Sequence, residues 1–317
     1  MAQHTPSELA TTLKDGLLSF PVTPFDADLQ LDEAKYREHL AWQASFGVAG
    51  LFAAGGTGEG FSLTQPELER AVTIAVEEAG SIVPVLASVG GSTAQAVASA
   101  RAAEAAGAEG LLLLPPYLTE CDQAGLAAHV DAVTSAVGIG VIVYNRANAR
   151  YSAQTVAGLA ERHENFIGFK DGVGDIEHLT KVYATNGDRL FYLGGLPTAE
   201  TFALPLLQLG MSTYSSAMYN FVPEFALEFY RDVRNQDRDA VTEKLNRFVL
   251  PYIEIRDRIK GYGVSIVKGG LKAVGRDVGS VRPPLQDLSE QDLADLADLI
   301  PRAGVSPDVS AAAEWGG

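Results

Sequence analysis

The sequence predicts an α/β protein: a (β/α)8 TIM barrel with a small C-terminal helical domain. Three observations predict it. Eight short apolar, β-rich runs occur along the chain, segments with apolar residues at helical spacing lie between them, and this alternation stops after about Asn235. Strands alternating with helices about every thirty residues imply parallel βα units. Eight such units imply a closed barrel rather than an open doubly wound sheet, and no dinucleotide fingerprint follows the first strand.

In chain order the strand runs are "GLLSFPVTPF" (16–25), "GLFAAGG" (50–56), "PVLASVG" (84–90), "GLLLLPP" (110–116), "GVIVYNR" (140–146), "FIGFKDG" (166–172), "LFYLGG" (190–195) and "MSTYSSAM" (211–218). Helical segments begin near Thr64, Ser92, Asp122, Ser152, Asp175 and Ala199. The first of these, "TQPELERAVTIAVEEA", carries a capping-box pattern at Thr64 and Glu67 with Pro66 in the first turn. Beyond Asn235, "RDAVTEKLNRFVLPYIEIRDRI", "VSIVKGGLKAVG" and "SEQDLADLADLI" read as helices without intervening strands. The expected organisation is a barrel with a short N-terminal extension over 1–235, a helical domain over 236–303, and a flexible tail over 304–317, whose residues are small and polar.

Composition limits the function. With 317 residues, 47% of them hydrophobic, the chain can bury a large core. A net charge of -16 without a concentrated basic patch disfavours nucleic acid and anionic membrane as partners. The single cysteine, Cys121, excludes an internal disulfide and a cysteine-based zinc cluster and points to a reducing cytoplasm. No apolar run reaches the roughly 18 residues of a membrane helix, and the N-terminus lacks the layout of a signal peptide. A soluble, unprocessed cytoplasmic protein is the expectation. The five histidines have no metal-ligand spacing and are expected on helix surfaces or in the N-terminal segment; no metal or cofactor is expected.

In a barrel of this kind the chemistry sits at the C-terminal ends of the strands. Strand alternation puts Phe166, Gly168 and Lys170 on one face and Ile167 with Phe169 on the other, against the outer helices, while small Gly168 leaves lumen space below Lys170. Of the eight lysines, Lys170 alone falls at a strand end. An amine at the top of an apolar barrel loses its charge readily and becomes a nucleophile toward a carbonyl. The bland reading is a lysine paired with Asp171. On the preceding strand Ile142 and Tyr144 share a face, so Tyr144 reaches the same side and can shuttle the protons that carbinolamine chemistry requires. The glycine-rich "GGTGEG" after the second strand suits an anion: backbone N–H groups at Gly56, Thr57 and Gly58 can converge on a carboxylate, and Thr57 adds a hydroxyl. It lacks the Gly-Lys-Ser/Thr of a phosphate loop.

Through "PVTPF", "GGTGEG", "LLPPY", "YNR", "FKDG", "NFVP" and "VKGGLKAVG", roughly Leu17 to Ile300, the chain resembles the dihydrodipicolinate synthase and N-acetylneuraminate lyase superfamily of Schiff-base barrels. The resemblance implies that Lys170 is the Schiff-base lysine, Tyr144 the catalytic tyrosine, and Thr57 with Gly58 the binder of a 2-oxo acid carboxylate. Two departures matter. Gly56 then Thr57 stand where the synthases have two threonines, and Tyr117 then Leu118 where they have two tyrosines, which removes a threonine–tyrosine proton relay used in condensing pyruvate with an aldehyde. The "YNRANARY" and "LGGLPTAE" stretches look instead like the 5-dehydro-4-deoxyglucarate dehydratase branch, a decarboxylating hydro-lyase yielding 2,5-dioxopentanoate. In that chemistry one protonated imine would serve both water loss and loss of CO2 from the carboxylate attached to the ketone. For the second carboxylate of this sugar diacid, Arg146 is the favoured cation with Arg150 as an alternative, Ser215 or Ser216 could add a hydroxyl, and Gly195 is a further candidate for the binding site. A homotetramer or homodimer is implied. The alternatives are an aldolase or synthase of the same superfamily acting on a 2-oxo acid such as pyruvate, and an idle barrel that binds a 2-oxo acid without turnover.

Overall fold

The computed structural model describes residues 2–117 and 119–305. Leu118 and the expected tail from residue 306 onward lie outside the described residues. A helix that the sequence reading leaves as an extension comes first: α1 (Pro6–Lys14), opened by a Thr5–Glu8 capping box. There follow β1 (Leu18–Ser19), α2 (Glu33–Ala44), β2 (Gly50–Ala53), α3 (Gln65–Ala79), β3 (Val85–Val89), α4 (Thr93–Ala105), β4 (Gly110–Leu113), α5 (Gln123–Thr134), β5 (Gly140–Asn145), α6 (Ala153–Arg162), β6 (Phe166–Asp171), α7 (Ile176–Asn186), β7 (Phe191–Gly194), α8 (Glu200–Leu207), β8 (Thr213–Tyr214) and α9 (Pro223–Arg234). The last helices are α10 (Arg238–Lys244), α11 (Leu250–Arg256), α12 (Tyr262–Ala273) and α13 (Glu290–Leu299).

All eight strands run parallel in the order of the chain, and a bridge from Leu18 to Ser215 brings the last strand back to the first. The helix starts read from the sequence are N-caps: the side chains of Thr64, Ser92, Asp122, Ser152 and Asp175 each accept from a backbone N–H of the first turn, which meets donors no helix can satisfy internally. Ala199 also stands at a helix start but has no side chain to cap it.

Two apolar clusters divide the barrel. Alternate strand residues such as Val141 and Val143 face the helix layer, while Leu18, Phe52, Leu86, Leu112, Ile142 and Leu193 fill the lumen. Helix α1 plugs the lumen by inserting Leu9 and Leu13. Gly110 and Gly140 admit Leu9, because a Cβ at either would stand 2.8 and 3.2 Å from its side chain. Among the described residues no helix is long and apolar enough to cross a membrane.

One expectation about faces fails. Val141 pairs with Phe166 but Ile142 pairs with Gly168, so Ile167 is an extra residue on β6. This bulge breaks the two-residue period. Phe169 joins the helix-facing cluster as expected, but Phe166 joins it too and Ile167 joins the lumen, both opposite to the simple alternation. The space beneath Lys170 is not left open by Gly168 either: a Cβ there would meet the Phe191 ring at 2.5 Å.

Candidate active site

The ends of β5 and β6 set the geometry. Beyond the bulge the register is regular, with Tyr144 opposite Lys170 and Asn145 opposite Asp171. Asn145 locks this pairing by donating from Nδ2 to Asp171 Oδ1 at 2.8 Å, while Gly172 N–H donates to Asn145 O at 3.0 Å. The other Asp171 oxygen accepts from the N–H groups of Val173 and Gly174. The aspartate next to the lysine is therefore committed to its own strand end, and Lys170 has no carboxylate partner among the described residues.

Lys170 is 4% exposed. Its Nζ lies 3.7 Å from the centre of the Phe20 ring and 4.8 Å from that of Tyr144, and it donates to Ser215 Oγ at 3.5 Å, the long limit of a hydrogen bond. Aromatic faces favour the ammonium by about 0.5–2 kcal/mol, too little to offset taking it out of water. Burial, reinforced by the charge of Arg146, holds the Lys170 ammonium well below the usual lysine range. The shift favours the neutral amine, which is the form that attacks a carbonyl.

The Tyr144 hydroxyl donates to Gly195 O at 2.9 Å and accepts from Arg146 Nη1 at 2.9 Å. Burial pushes its pKa up and Arg146 opposes this, so at neutral pH Tyr144 is a protonated phenol. Two glycines make the arrangement possible. A Cβ on Gly195 would stand 2.4 Å from Lys170 Cε, and one on Gly172 would stand 2.7 Å from the Tyr144 oxygen.

Lys170, Tyr144, Arg146, Gly195 and Ser215 thus form one connected group. Ser216 does not join it, because its hydroxyl turns to Glu200. Nor does Arg150, whose Nε donates to Ala147 O in its own loop. The glycine loop meets the group through Phe20, against whose ring Gly55 packs so closely that a Cβ would stand 2.3 Å away. Among the described residues the N–H groups of Thr57 and Gly58 donate no hydrogen bond, while Gly58 O accepts from Thr23 Oγ1 at 2.6 Å. No group of three or more His, Cys, Asp or Glu among the described residues could hold a metal ion.

The histidines differ from expectation. His39 is fully buried against Asn220 and Gln43, and His129 is buried with Nδ1 at 2.9 Å from Thr93 Oγ1. Both sit among side-chain partners rather than on a surface, and burial holds His39 down at about 4. Sequence reasoning also missed Phe20 beneath the amine and the Asn145–Asp171 lock. The lock had a signal, since both residues directly follow Tyr144 and Lys170; Phe20 had none.

The profile of the dihydrodipicolinate synthetase family matches residues 13–303. The chain belongs to that family. Among its relatives is a protein of Arthrobacter sp. (strain FB24) named probable 5-dehydro-4-deoxyglucarate dehydratase, 75% identical over 300 residues, 95% of this chain and 99% of that one. A protein of the same name from Corynebacterium glutamicum (strain ATCC 13032) is 67% identical, with 96% of each chain covered. Of the solved structures, a prophage protein of the dihydrodipicolinic acid synthase family from E. coli K12, crystallised in complex with pyruvate, shares 25% identity with a TM-score of 0.82 over 92% of this chain and 99% of its own. Within this synthetase family, the strand-end lysine and tyrosine of the present chain occupy adjacent strands of a shared barrel.

Proposed function

We propose that this chain is a decarboxylating hydro-lyase that converts 5-dehydro-4-deoxyglucarate to 2,5-dioxopentanoate, CO2 and water through a Schiff base on Lys170. The observation that carries the reading is a buried amine without a carboxylate partner among the described residues, in register with a phenol that can pass protons. The names of relatives at 75% and 67% identity supply the substrate.

The amine adds to the ketone and loses water to give a protonated imine. Tyr144 serves as the proton relay for this step, with Gly195 O and Arg146 orienting its hydroxyl. The imine acidifies the neighbouring CH2; loss of that proton and of the β-hydroxyl as water leaves a double bond conjugated to the imine. The product retains its 2-oxo acid end, so the CO2 released comes from the distal carboxylate, which corrects the expectation that the carboxylate beside the ketone is lost. The electron pair of that distal carbon–carbon bond reaches the imine nitrogen only through the new double bond. Dehydration must therefore precede decarboxylation. Reprotonation gives the aldehyde, hydrolysis frees Lys170, and the net reaction consumes one proton.

In this reading the N–H groups of Thr57 and Gly58, with Gly56 leaving room, hold the carboxylate beside the ketone; Ser215 lines the amine, and Arg146, whose side chain has Tyr144 as its only hydrogen-bond partner among the described residues, receives the distal carboxylate. A cytoplasmic homotetramer or homodimer is the proposed setting, supported by exposed apolar side chains such as Ile176 and Phe202 that a second copy would cover. The test is incubation with 5-dehydro-4-deoxyglucarate after chelation, with CO2 and aldehyde measured together and borohydride trapping mapped by mass. One CO2 per aldehyde and an adduct on Lys170 are expected. Turnover of pyruvate with aspartate semialdehyde, or of N-acetylneuraminate, with no CO2 from the diacid would make it an aldolase or synthase.

A further inference from the structure

The glycine loop ends in Glu59, whose carboxylate is fully buried and whose backbone is left-handed at φ 52°. Both features are costly. A non-glycine residue is strained in that region, and a buried charge costs several kcal/mol unless it is paired and hydrogen-bonded. Glycine here would relieve the strain but could pair with nothing. The partner comes from the far end of the chain: Lys268 on α12, 3% exposed, places Nζ 2.7 Å from Glu59 Oε1. Lys268 also donates to Ser280 O at 2.8 Å, and Arg282 N–H donates to Glu59 Oε2 at 2.9 Å. The Arg282 guanidinium then donates to Ser62 O at 2.9 Å and to the Glu67 carboxylate, so both Glu59 and the segment that follows it are tied to residues 268–282.

Between Gly55 and Gly60 only Thr57 and Glu59 have side chains beyond hydrogen, and the Thr57 side chain makes no hydrogen bond among the described residues. Glu59 is thus the loop's side-chain anchor. We infer that the Glu59–Lys268 pair is a positioning device by which the C-terminal helical region fixes the Thr57 and Gly58 N–H groups in the geometry that receives the substrate carboxylate. The inference rests on the reading of that loop as the carboxylate cradle given above. Its effect is on binding: a cradle that holds the carboxylate equally before and during the reaction changes KM and leaves kcat nearly untouched.

The test uses the full chain as Glu59→Gln, Lys268→Met and the double variant, assayed with 5-dehydro-4-deoxyglucarate. Each single change should raise KM, and the concentration giving half-maximal borohydride adduct on Lys170, about tenfold, with kcat changed less than about threefold. The double variant should be no worse than either single one, because the two residues act as a unit. Wild-type KM in folded variants, or a double variant whose factor is the product of the two, would overturn the inference. Should both single variants fail to fold, Lys268→Arg decides instead: it keeps the charge with altered reach, and must raise KM at unchanged melting temperature. Absence of a Lys170 adduct in the wild-type protein would remove the Schiff-base reading itself; a wild-type adduct with unmoved half-saturation in the variants removes only this inference.

Discussion

At Lys170 the reactivity depends on two things the amine lacks, water and a counter-ion. Asp171, its neighbour in sequence, is occupied by Asn145 and two backbone donors, so burial acts on the ammonium with no counter-ion to offset it among the described residues. Removing the Tyr144 hydroxyl should then leave the amine in place but without the proton relay proposed above. Tyr144→Phe is expected to fold normally and lose about two to four powers of ten in kcat; near-normal turnover would make Tyr144 a packing residue. Gly195 gives a second prediction. A methyl group there meets the lysine side chain at 2.4 Å, so Gly195→Ala should displace Nζ and suppress the borohydride adduct, whereas Gly263→Ala on the exposed face of α12, with nothing within 4 Å of its Cβ, should leave adduct formation at the wild-type level without lowering the melting temperature. Equal behaviour of the two variants would contradict the geometry. Lys170 and Tyr144 were legible in the sequence because each ends an apolar run and adjacent parallel strands put such ends side by side. Phe20 was not legible, because its contact with the amine crosses the barrel and leaves no local pattern.

At the level of the elements, strands and helix starts were legible because they rest on local rules: apolar runs bounded by glycine, and Ser, Thr or Asp side chains that cap free N–H groups. The β6 bulge was not, since one extra residue is set by pairing with β5 and alternation carries no mark of it. Helix α1 was also missed, although Thr5 and Glu8 form its capping box. Helix α8 carries the third prediction. Glu200 in its first turn is 2% exposed and accepts from Ser216 Oγ, and burial pushes its carboxyl up to about 7 from an ordinary 4.5. Between those values the folded protein keeps a proton that the unfolded chain releases. Stability from this group is therefore full below about pH 4.5 and is lost as pH rises through about 7, by up to about 3 kcal/mol. Denaturant unfolding at pH 5 and pH 8 should show that loss in the wild type and not in Glu200→Gln. A wild-type minus variant difference that stays constant over this range would mean that Glu200 is ionised throughout.

Over the whole molecule, the sequence reading places a boundary near residue 235, because strands stop there. The core does not stop there. One apolar cluster runs from Val22 and Leu40 in the barrel through Phe221 to Tyr252, Ile266, Leu271 and Leu296. Ring contacts cross the boundary, Phe221 with Tyr252 at 5.9 Å and Phe225 with Phe248 at 5.0 Å, as do the Glu59–Lys268 and Glu67–Arg282 ion pairs and a backbone bond from Phe25 N–H to Val278 O. Contacts that are this apolar and this interleaved predict that the two regions unfold as one cooperative unit, in contrast to the polar interfaces between domains that fold alone. Trp42 reports on the junction, since the Arg276 guanidinium lies 4.4 Å from its ring centre. In a Trp315→Phe background, Trp42 fluorescence and far-UV circular dichroism should trace the same unfolding curve, and a chain ending at Asn235 should not fold, because it would expose Phe221, Phe225 and the buried Glu59. A fluorescence change that precedes the loss of helix, or a folded 1–235 fragment, would instead mean that the barrel stands without its C-terminal helices and that the anchor on the glycine loop is dispensable for the fold.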